Sequence, residues 1–232
     1  EIEAKLRGSL TQSLADLRLD HIDLFFLHSN LAPDGYNHPN DTNPMRAPTP
    51  WRSYCEIVRP LLNDLIDEGL IGAWGLSAIG VPSTLLKAFD DQPAPQAAQC
   101  ITNPLDSAGA LRMFDEPARP RELIQAAKKN GIGVLGIRAV QAGALTSAFD
   151  RDIPQDNADM ADYRRAQPFR ELAAALGVAP ADLAHRYALS MEGIDTVVLG
   201  IKNRTELKAC LAAEQAGPLE PELIARIDAA VR

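Results

Sequence analysis

Ile22-Asp23-Leu24-Phe25-Phe26-Leu27-His28-Ser29-Asn30 is the stretch on which the reading of the fold turns. Its first six residues form a short apolar run rich in Phe, not an alternation, so as a strand it needs cover on both faces. A polar trio, His28, Ser29 and Asn30, ends it. The same grammar recurs in Gly72–Ser77, Ala97–Asn103, Val134–Ile137 followed by Arg138, and Thr196–Gly200. Helical segments separate these runs. Residues 54–68 carry apolar positions at a 3.6 period and stop at Gly69. Pro82 and Pro120 each open a helix, two more lie near 164–176 and 180–190, and Asn203 with Glu206 reads as a capping box for a helix of about 203–213. A terminal helix spans Pro221 to Val231.

Apolar strands alternating with helices predict an α/β fold with a parallel sheet and βαβ crossovers. Neither G-x-G-x-x-G nor G-x-x-x-x-G-K-[ST] occurs, so the Rossmann and P-loop phosphate cradles are absent. A (β/α)8 TIM barrel fits better, with polar residues at strand C-termini supplying the site. Five strands correspond to its last five βα units plus a C-terminal helix. The expectation is one domain over 1–232. Leu6, Leu10, Leu14 and Leu17 mark a helix already under way at the start, so three further βα units are expected upstream of Glu1. Within the domain, residues 29–53 hold Pro33, Pro39, Pro44, Pro48 and Pro50. They read as a long irregular active-site loop, with Tyr36 and Trp51 at its flanks.

The chain of 232 residues is 46% hydrophobic and carries a net charge of −8. That charge argues against a nucleic-acid surface. No apolar run reaches the roughly 20 residues of a membrane helix, and no secretory segment is apparent, so a cytoplasmic setting is expected. Cys55, Cys100 and Cys210 are widely separated and suggest neither a zinc site nor a disulfide framework. With one His and no H-x-H at the strand ends, no metal is expected.

Ser13-Leu14, Leu17 and Ile22-Asp23-Leu24 through Leu27-His28 resemble the S-L-x-x-L … D-x-x-x-x-H signature of the aldo-keto reductases. Gly69-Leu70-Ile71 with Gly75-Leu76-Ser77 is similar to that family's G-K-I-R … G-x-S-N, and Gln99 with Asn103 to its Q-x-x-Y-N. Gly131-Ile132-Gly133-Val134 with Gly143-Ala144-Leu145 is similar to its next strand and loop. Val198-Leu199-Gly200, Asn203 and Glu206-Leu207 are similar to its last strand and following helix. The resemblance runs in order along nearly the whole chain. The Gly143 segment with Arg138 resembles the bacterial aldose-dehydrogenase-like branch.

The resemblance implies NADP or NAD extended across the barrel mouth, and hydride transfer between the nicotinamide and a small carbonyl or alcohol. The family's catalytic set is Asp, Tyr, Lys and His. Only the His has a counterpart, His28, which would orient the substrate oxygen. The other three are expected upstream of Glu1, because Tyr36, Tyr54, Tyr163 and Tyr187 do not sit in the tyrosine motif.

Ser77 and Gln99 are the pair expected to hydrogen-bond the nicotinamide carboxamide, hydroxyl plus amide supplying donor and acceptor. Ala78 stands where the family has Asn. Asn103 would reach the same region or cap its strand. Arg138, at a strand end, needs an anion: a cofactor phosphate, an acidic substrate, or a local carboxylate. Gly200, Lys202, Asn203 and Arg204 precede a helix and form a candidate phosphate site or a solvated cationic turn. Glu206 stands where many members carry Arg for the adenosine 2′-phosphate, and Ala209 and Cys210 where many carry Glu and Asn, which leaves NADP against NAD open. His21 and His38 are expected at the surface and His185 in a structural role. A noncatalytic NAD(P)-binding sensor or subunit is the alternative reading, and homo-oligomerisation is left open.

Overall fold

The computed structural model describes residues 1–37, 47–149 and 151–231, so His38 lies outside the described residues. The chain divides into two compact units. The first comprises Glu1–Gln99, Met113–Pro117 and Ala126–Gly133, and the second Cys100–Arg112, Ala118–Gln125 and Val134–Arg232.

Strands β1 (Ile22–Leu27), β4 (Ile71–Ser77), β5 (Ala97–Ile101), β6 (Gly133–Ile137) and β7 (Thr196–Val197) form one sheet in the order β1-β4-β5-β6-β7. Pairing is parallel for β1 with β4, β4 with β5 and β6 with β7. This is the α/β arrangement expected of part of a (β/α)8 barrel, strand after strand in chain order.

In the first unit, α1 (Ile2–Leu17) buries Leu6 and Leu10, whereas Leu17 is 59% exposed. Its apolar stripe is therefore covered only near its start. Arg18 takes φ 56° and ends the helix. β4 lies in the interior of the sheet. Trp74 is fully buried, donates its indole N–H to Asn63 Oδ1 at 3.3 Å, and donates its backbone N–H to Gln96 Oε1 at 3.0 Å. Beside it, Gly75 allows a close approach. A Cβ there would lie 2.8 Å from the Ala97 carbonyl oxygen and clash with the edge of the Phe26 ring.

The stretch expected to be wholly irregular contains a two-residue parallel pair, β2 (Leu31–Ala32) with β3 (Thr49–Pro50). Pro48 and Pro50 flank Thr49 and cannot donate, which fits its brevity. The helix after it begins at α2 (Trp51–Ser53), passes through a π-helical turn at Tyr54–Val58 and continues as α3 (Arg59–Asp67). Pro60 has no N–H to return to Glu56, which favours the wider turn just before it. α4 (Pro82–Asp90) completes this unit's helices, and α5 (Pro120–Lys129) contributes residues to both units.

In the second unit, β5 stops at Ile101 and not at Asn103. Thr102 donates its N–H to the Ile137 carbonyl at 2.9 Å, and the chain turns at Asn103 to Asp106. β7 ends at Val197, short of the expected Gly200, and Val198 and Ile201 are each 45% exposed beside this last strand of the sheet. The helix expected near 164–176 is α7 (Gln167–Ala175), and a separate helix not expected from the sequence, α6 (Ala158–Arg165), precedes it, the two parted before Pro168. α8 (Pro180–Ser190), α9 (Arg204–Gln215) and α10 (Pro221–Val231) follow. Arg121 ties α10 down, donating to Asp106, to Asp228 and to the Tyr187 hydroxyl at 2.6 Å.

Candidate functional site

Parallel pairing places residues of successive strands at one level. Leu27 stands opposite Leu76, and Ser77 opposite Gln99. His28, the next residue after β1, thus comes level with Ser77. The structure joins the three in a chain within the first unit. His28 Nδ1 is 3.1 Å from Ser77 Oγ, and Ser77 Oγ donates to Gln99 Oε1 at 3.0 Å. Ser77 is 2% exposed, Gln99 is half-buried, and the His28 ring is exposed.

A serine hydroxyl has one proton. With that proton directed to Gln99, Ser77 accepts from His28 Nδ1–H. Nε2 of neutral His28 is then a bare acceptor, and it becomes a donor only when the ring is protonated. His28 therefore suits an alcohol O–H when neutral and a carbonyl oxygen when charged.

The backbone beneath is fixed. Ala78 N–H donates to the Gln99 carbonyl and Val81 N–H to the Leu31 carbonyl, both at 2.9 Å. At the mouth of the loop, Thr49 Oγ1 donates to Ser29 Oγ at 2.8 Å and Thr49 N–H to the Asn30 carbonyl at 2.7 Å. Trp51 is an anchor at the loop's end, 5.6 Å from the Tyr54 ring and with the Lys87 ammonium 4.1 Å from its centroid. The Tyr36 hydroxyl accepts from the Asp115 N–H. His21 pairs with the Gly69 carbonyl at 2.8 Å.

In the second unit, Asn103 and Arg138 take part in a buried network. Asn103 Nδ2 shares its two protons among three acceptors, the carbonyls of Ser107 and Arg138 and Gln141 Oε1, each at 3.2 Å. Arg138 donates to Gln141 Oε1 at 2.8 Å and to Asp159 Oδ1 at 2.9 Å. Its required anion is thus a local carboxylate. Burial lowers the proton affinity of the Arg138 guanidinium, and Asp159 opposes that shift. Arg151 bonds the other Asp159 oxygen at 3.2 Å and the Ala142 carbonyl at 2.7 Å. These bonds hold a loop in which Arg138, Gln141 and Ala142 all take positive φ, of 58°, 45° and 51°.

That loop forms one wall of a cavity of about 580 Å³ in the same unit, a size usual for small-ligand sites. Val140, Ala142 and Gly143 line it, together with Arg151, with Ala181, Asp182 and His185 of α8, with Gly200 and Lys202 after β7, and with Glu206, Ala209 and Cys210 of α9. Of the four expected phosphate-site residues, Gly200 and Lys202 are in the wall. Asn203 caps α9 instead, accepting from the N–H groups of Thr205 at 3.0 Å and Glu206 at 2.9 Å, and Arg204 opens the helix. Glu206 closes the capping box, accepting from Lys202 N–H at 2.8 Å and Asn203 Nδ2 at 3.1 Å. His185, read as structural, lies in the wall 3.8 Å from Cys210 Sγ. Burial lowers the His185 pKa and raises that of Cys210. Sequence reasoning missed Arg151 and His185 as cavity residues. Their only sequence signal is residue type, since no spacing ties them to a strand end.

In the first unit, the Ser77 hydroxyl beside the Gln99 carboxamide matches the donor and acceptor of an amide. In the second unit, the cavity offers room and polar groups for a phosphate-bearing ligand. Solved structures of similar chains agree in fold. The holo form of aldo-keto reductase AKR11C1 from Bacillus halodurans superposes with a TM-score of 0.69 at 20% identity, over 99% of this chain and 65% of that one. The apo form gives 0.67 at 21%, over 99% and 69%. A probable voltage-gated potassium channel subunit beta from Oryza sativa subsp. japonica is 24% identical over 98% of this chain and 66% of its own length. The chain thus spans about two thirds of the length of these relatives. The Aldo/keto reductase family profile matches residues 2–232. On that match, the chain belongs to the aldo/keto reductase family.

Proposed function

We propose that the chain is part of an NAD(P)-dependent oxidoreductase acting on a small carbonyl or alcohol. The observation that carries this reading is the hydrogen-bonded row of His28, just after β1, Ser77 at the end of β4 and Gln99 in the middle of β5, on three successive parallel strands. The cofactor, when bound, supplies or accepts the hydride. Ser77 and Gln99 orient its carboxamide, and His28 orients the substrate oxygen through Nε2. Gly200 and Lys202 face the adenosine phosphate. Asn103 and Arg138 act as positioning residues that hold the cavity loop in shape.

The alternative, a noncatalytic NAD(P)-binding subunit, is favoured by the tyrosines. Tyr36 accepts from Asp115, Tyr54 is fully buried, Tyr163 donates to the Ser147 carbonyl and Tyr187 meets Asp228. None of them supplies a proton donor to the row through these contacts. One experiment separates the readings: titrate NADPH and NADH by nicotinamide fluorescence, then add aldehydes and ketones. Carbonyl-dependent oxidation that His28→Ala abolishes supports the enzyme. Tight binding without turnover across the panel supports the subunit.

A further inference from the structure

We infer that a second cavity of the second unit, beside the loop after β6, binds a small monocarboxylate. A stacked row of Arg170, Tyr163, Phe149 and Arg151 couples its occupancy to the cavity lined by α8 and α9.

The two cavities share one stretch of chain as a wall. Thr146 and Ala148 line the first, and Ser147 between them lines the second, which has a volume of about 420 Å³. Side chains of the second cavity grip that stretch by its backbone. Arg170 Nη1 donates to the Ala144 carbonyl at 2.9 Å, and the Tyr163 hydroxyl donates to the Ser147 carbonyl at 3.3 Å. A row of cations and rings then runs from one cavity to the other. The Arg170 guanidinium lies 3.9 Å from the Tyr163 ring centroid, Tyr163 meets Phe149 edge to face at 5.5 Å, and the Arg151 guanidinium lies 5.2 Å from the Phe149 centroid. Arg151 stands in the wall of the first cavity. Contacts of these two kinds hold only over a narrow range of distance and orientation, so a displacement of Arg170 is felt at Arg151.

Arg170 sets the charge of the ligand. Its bonds go to the carbonyls of Ala144 and Tyr163 and, from both Nε and Nη2, to Gln167 Oε1. All of these acceptors are neutral, and they leave one N–H of Nη1 unused. Arg138 and Arg151, by contrast, are bonded to the Asp159 carboxylate. Burial lowers the proton affinity of the Arg170 guanidinium, and a bound anion would oppose that loss of hydration. The Ser147 hydroxyl is a second donor in the wall. Glu171 lines the cavity too, but its carboxylate is held by the Gln167 amide at 3.0 Å. It opposes a second negative charge on the ligand, which favours a single carboxylate over a dicarboxylate or a phosphate dianion. Val178 and Pro180 supply an apolar side for a short hydrocarbon tail.

The test adds butyrate, succinate and inorganic phosphate separately to the full chain. Calorimetry gives their affinities, and the arginine Nε–H resonances report the row. Butyrate is expected to bind at least about fivefold more tightly than either dianion, and to shift the Arg170 and Arg151 resonances together. Val178 is 40% exposed, so Val178→Asp alters the apolar side without opening the core. It should weaken butyrate by about tenfold or more. Phe149→Leu interrupts the row: butyrate should still bind and shift Arg170, while the Arg151 shift is lost. The comparison of the three anions on the unaltered chain holds even if a variant does not fold. Absence of butyrate binding, equal or tighter binding of succinate or phosphate, or an affinity that Val178→Asp leaves unchanged overturns the site. An Arg151 resonance that never moves, or that still moves in Phe149→Leu, overturns the coupling.

Discussion

His28 Nδ1 and the Ser77 hydroxyl oxygen lie 3.1 Å apart, although 49 positions separate the two residues in the chain. With the Ser77 proton directed to Gln99, the contact calls for a hydrogen on His28 Nδ1. In neutral protein, ¹⁵N imidazole shifts should show the Nδ1–H form. Ser77→Ala should return the ring to a mixture dominated by Nε2–H. Persistence of one tautomer in the variant would refute the relay. On the proposed function, His28→Ala should lower kcat by roughly 100-fold with little change in cofactor affinity.

Gly75 holds β1 and β5 at their observed spacing from β4. Gly75→Ala would push a methyl group into the Phe26 ring and to 2.8 Å from the Ala97 carbonyl oxygen. Overpacking of this kind costs roughly 1–3 kcal/mol, and backbone contact places the variant at the upper end. Urea unfolding measures it; a loss below 0.5 kcal/mol, on the scale of ordinary surface substitutions, would contradict the register.

Asp159 lies between two arginines, and Arg138 is only 14% exposed in its side chain. Asp159→Ala leaves that guanidinium buried without its carboxylate and should cost roughly 3–5 kcal/mol. Adding Arg138→Met should recover more than half of the loss, because it removes the stranded charge. Additive losses in the double variant would show that the pair is not coupled.

The Cys100 thiol is fully buried, and desolvation pushes its pKa from the ordinary 9.0 up to about 12. A folded-state value above the unfolded one means stability is intact below pH 9 and falls as pH rises from 9 toward 12, since only the unfolded chain releases the proton. The limiting slope is about 1.4 kcal/mol per pH unit. Buried Tyr54 and Tyr187, whose pKa values burial also raises, add to the decline at higher pH. Chemical denaturation from pH 9 to 10 should show a shallower decline for Cys100→Ala than for the parent. Identical slopes would rule Cys100 out as the cause.

His28 and Ser77 stood out in the sequence because each follows or ends an apolar run, and Gln99 because it is the polar residue inside one; that they form a hydrogen-bonded row came from the strand register. The capping box of Asn203 and Glu206 was legible because it is local. What could not be read were partners supplied by elements with no periodic link to a strand. Arg138 finds Asp159 21 positions on, and Gln141 finds Asp162 at the same separation. Both acids sit on a short helix, α6, most of which precedes the helix expected near 164–176. The extent of β7 was overread because an apolar run announces a strand without saying how much of it another strand will cover. The β2–β3 pair was missed because two residues carry no period at all.

That pair has a mechanical consequence. Leu31 and Ala32 lie in parallel with Thr49 and Pro50, and the Thr49 N–H reaches the Asn30 carbonyl at 2.7 Å. The start of the helix at Trp51 is thereby tethered to the chain two residues beyond His28. A proline at position 49 has no N–H to give, and it would uncouple the two segments without touching any residue of the His28 row.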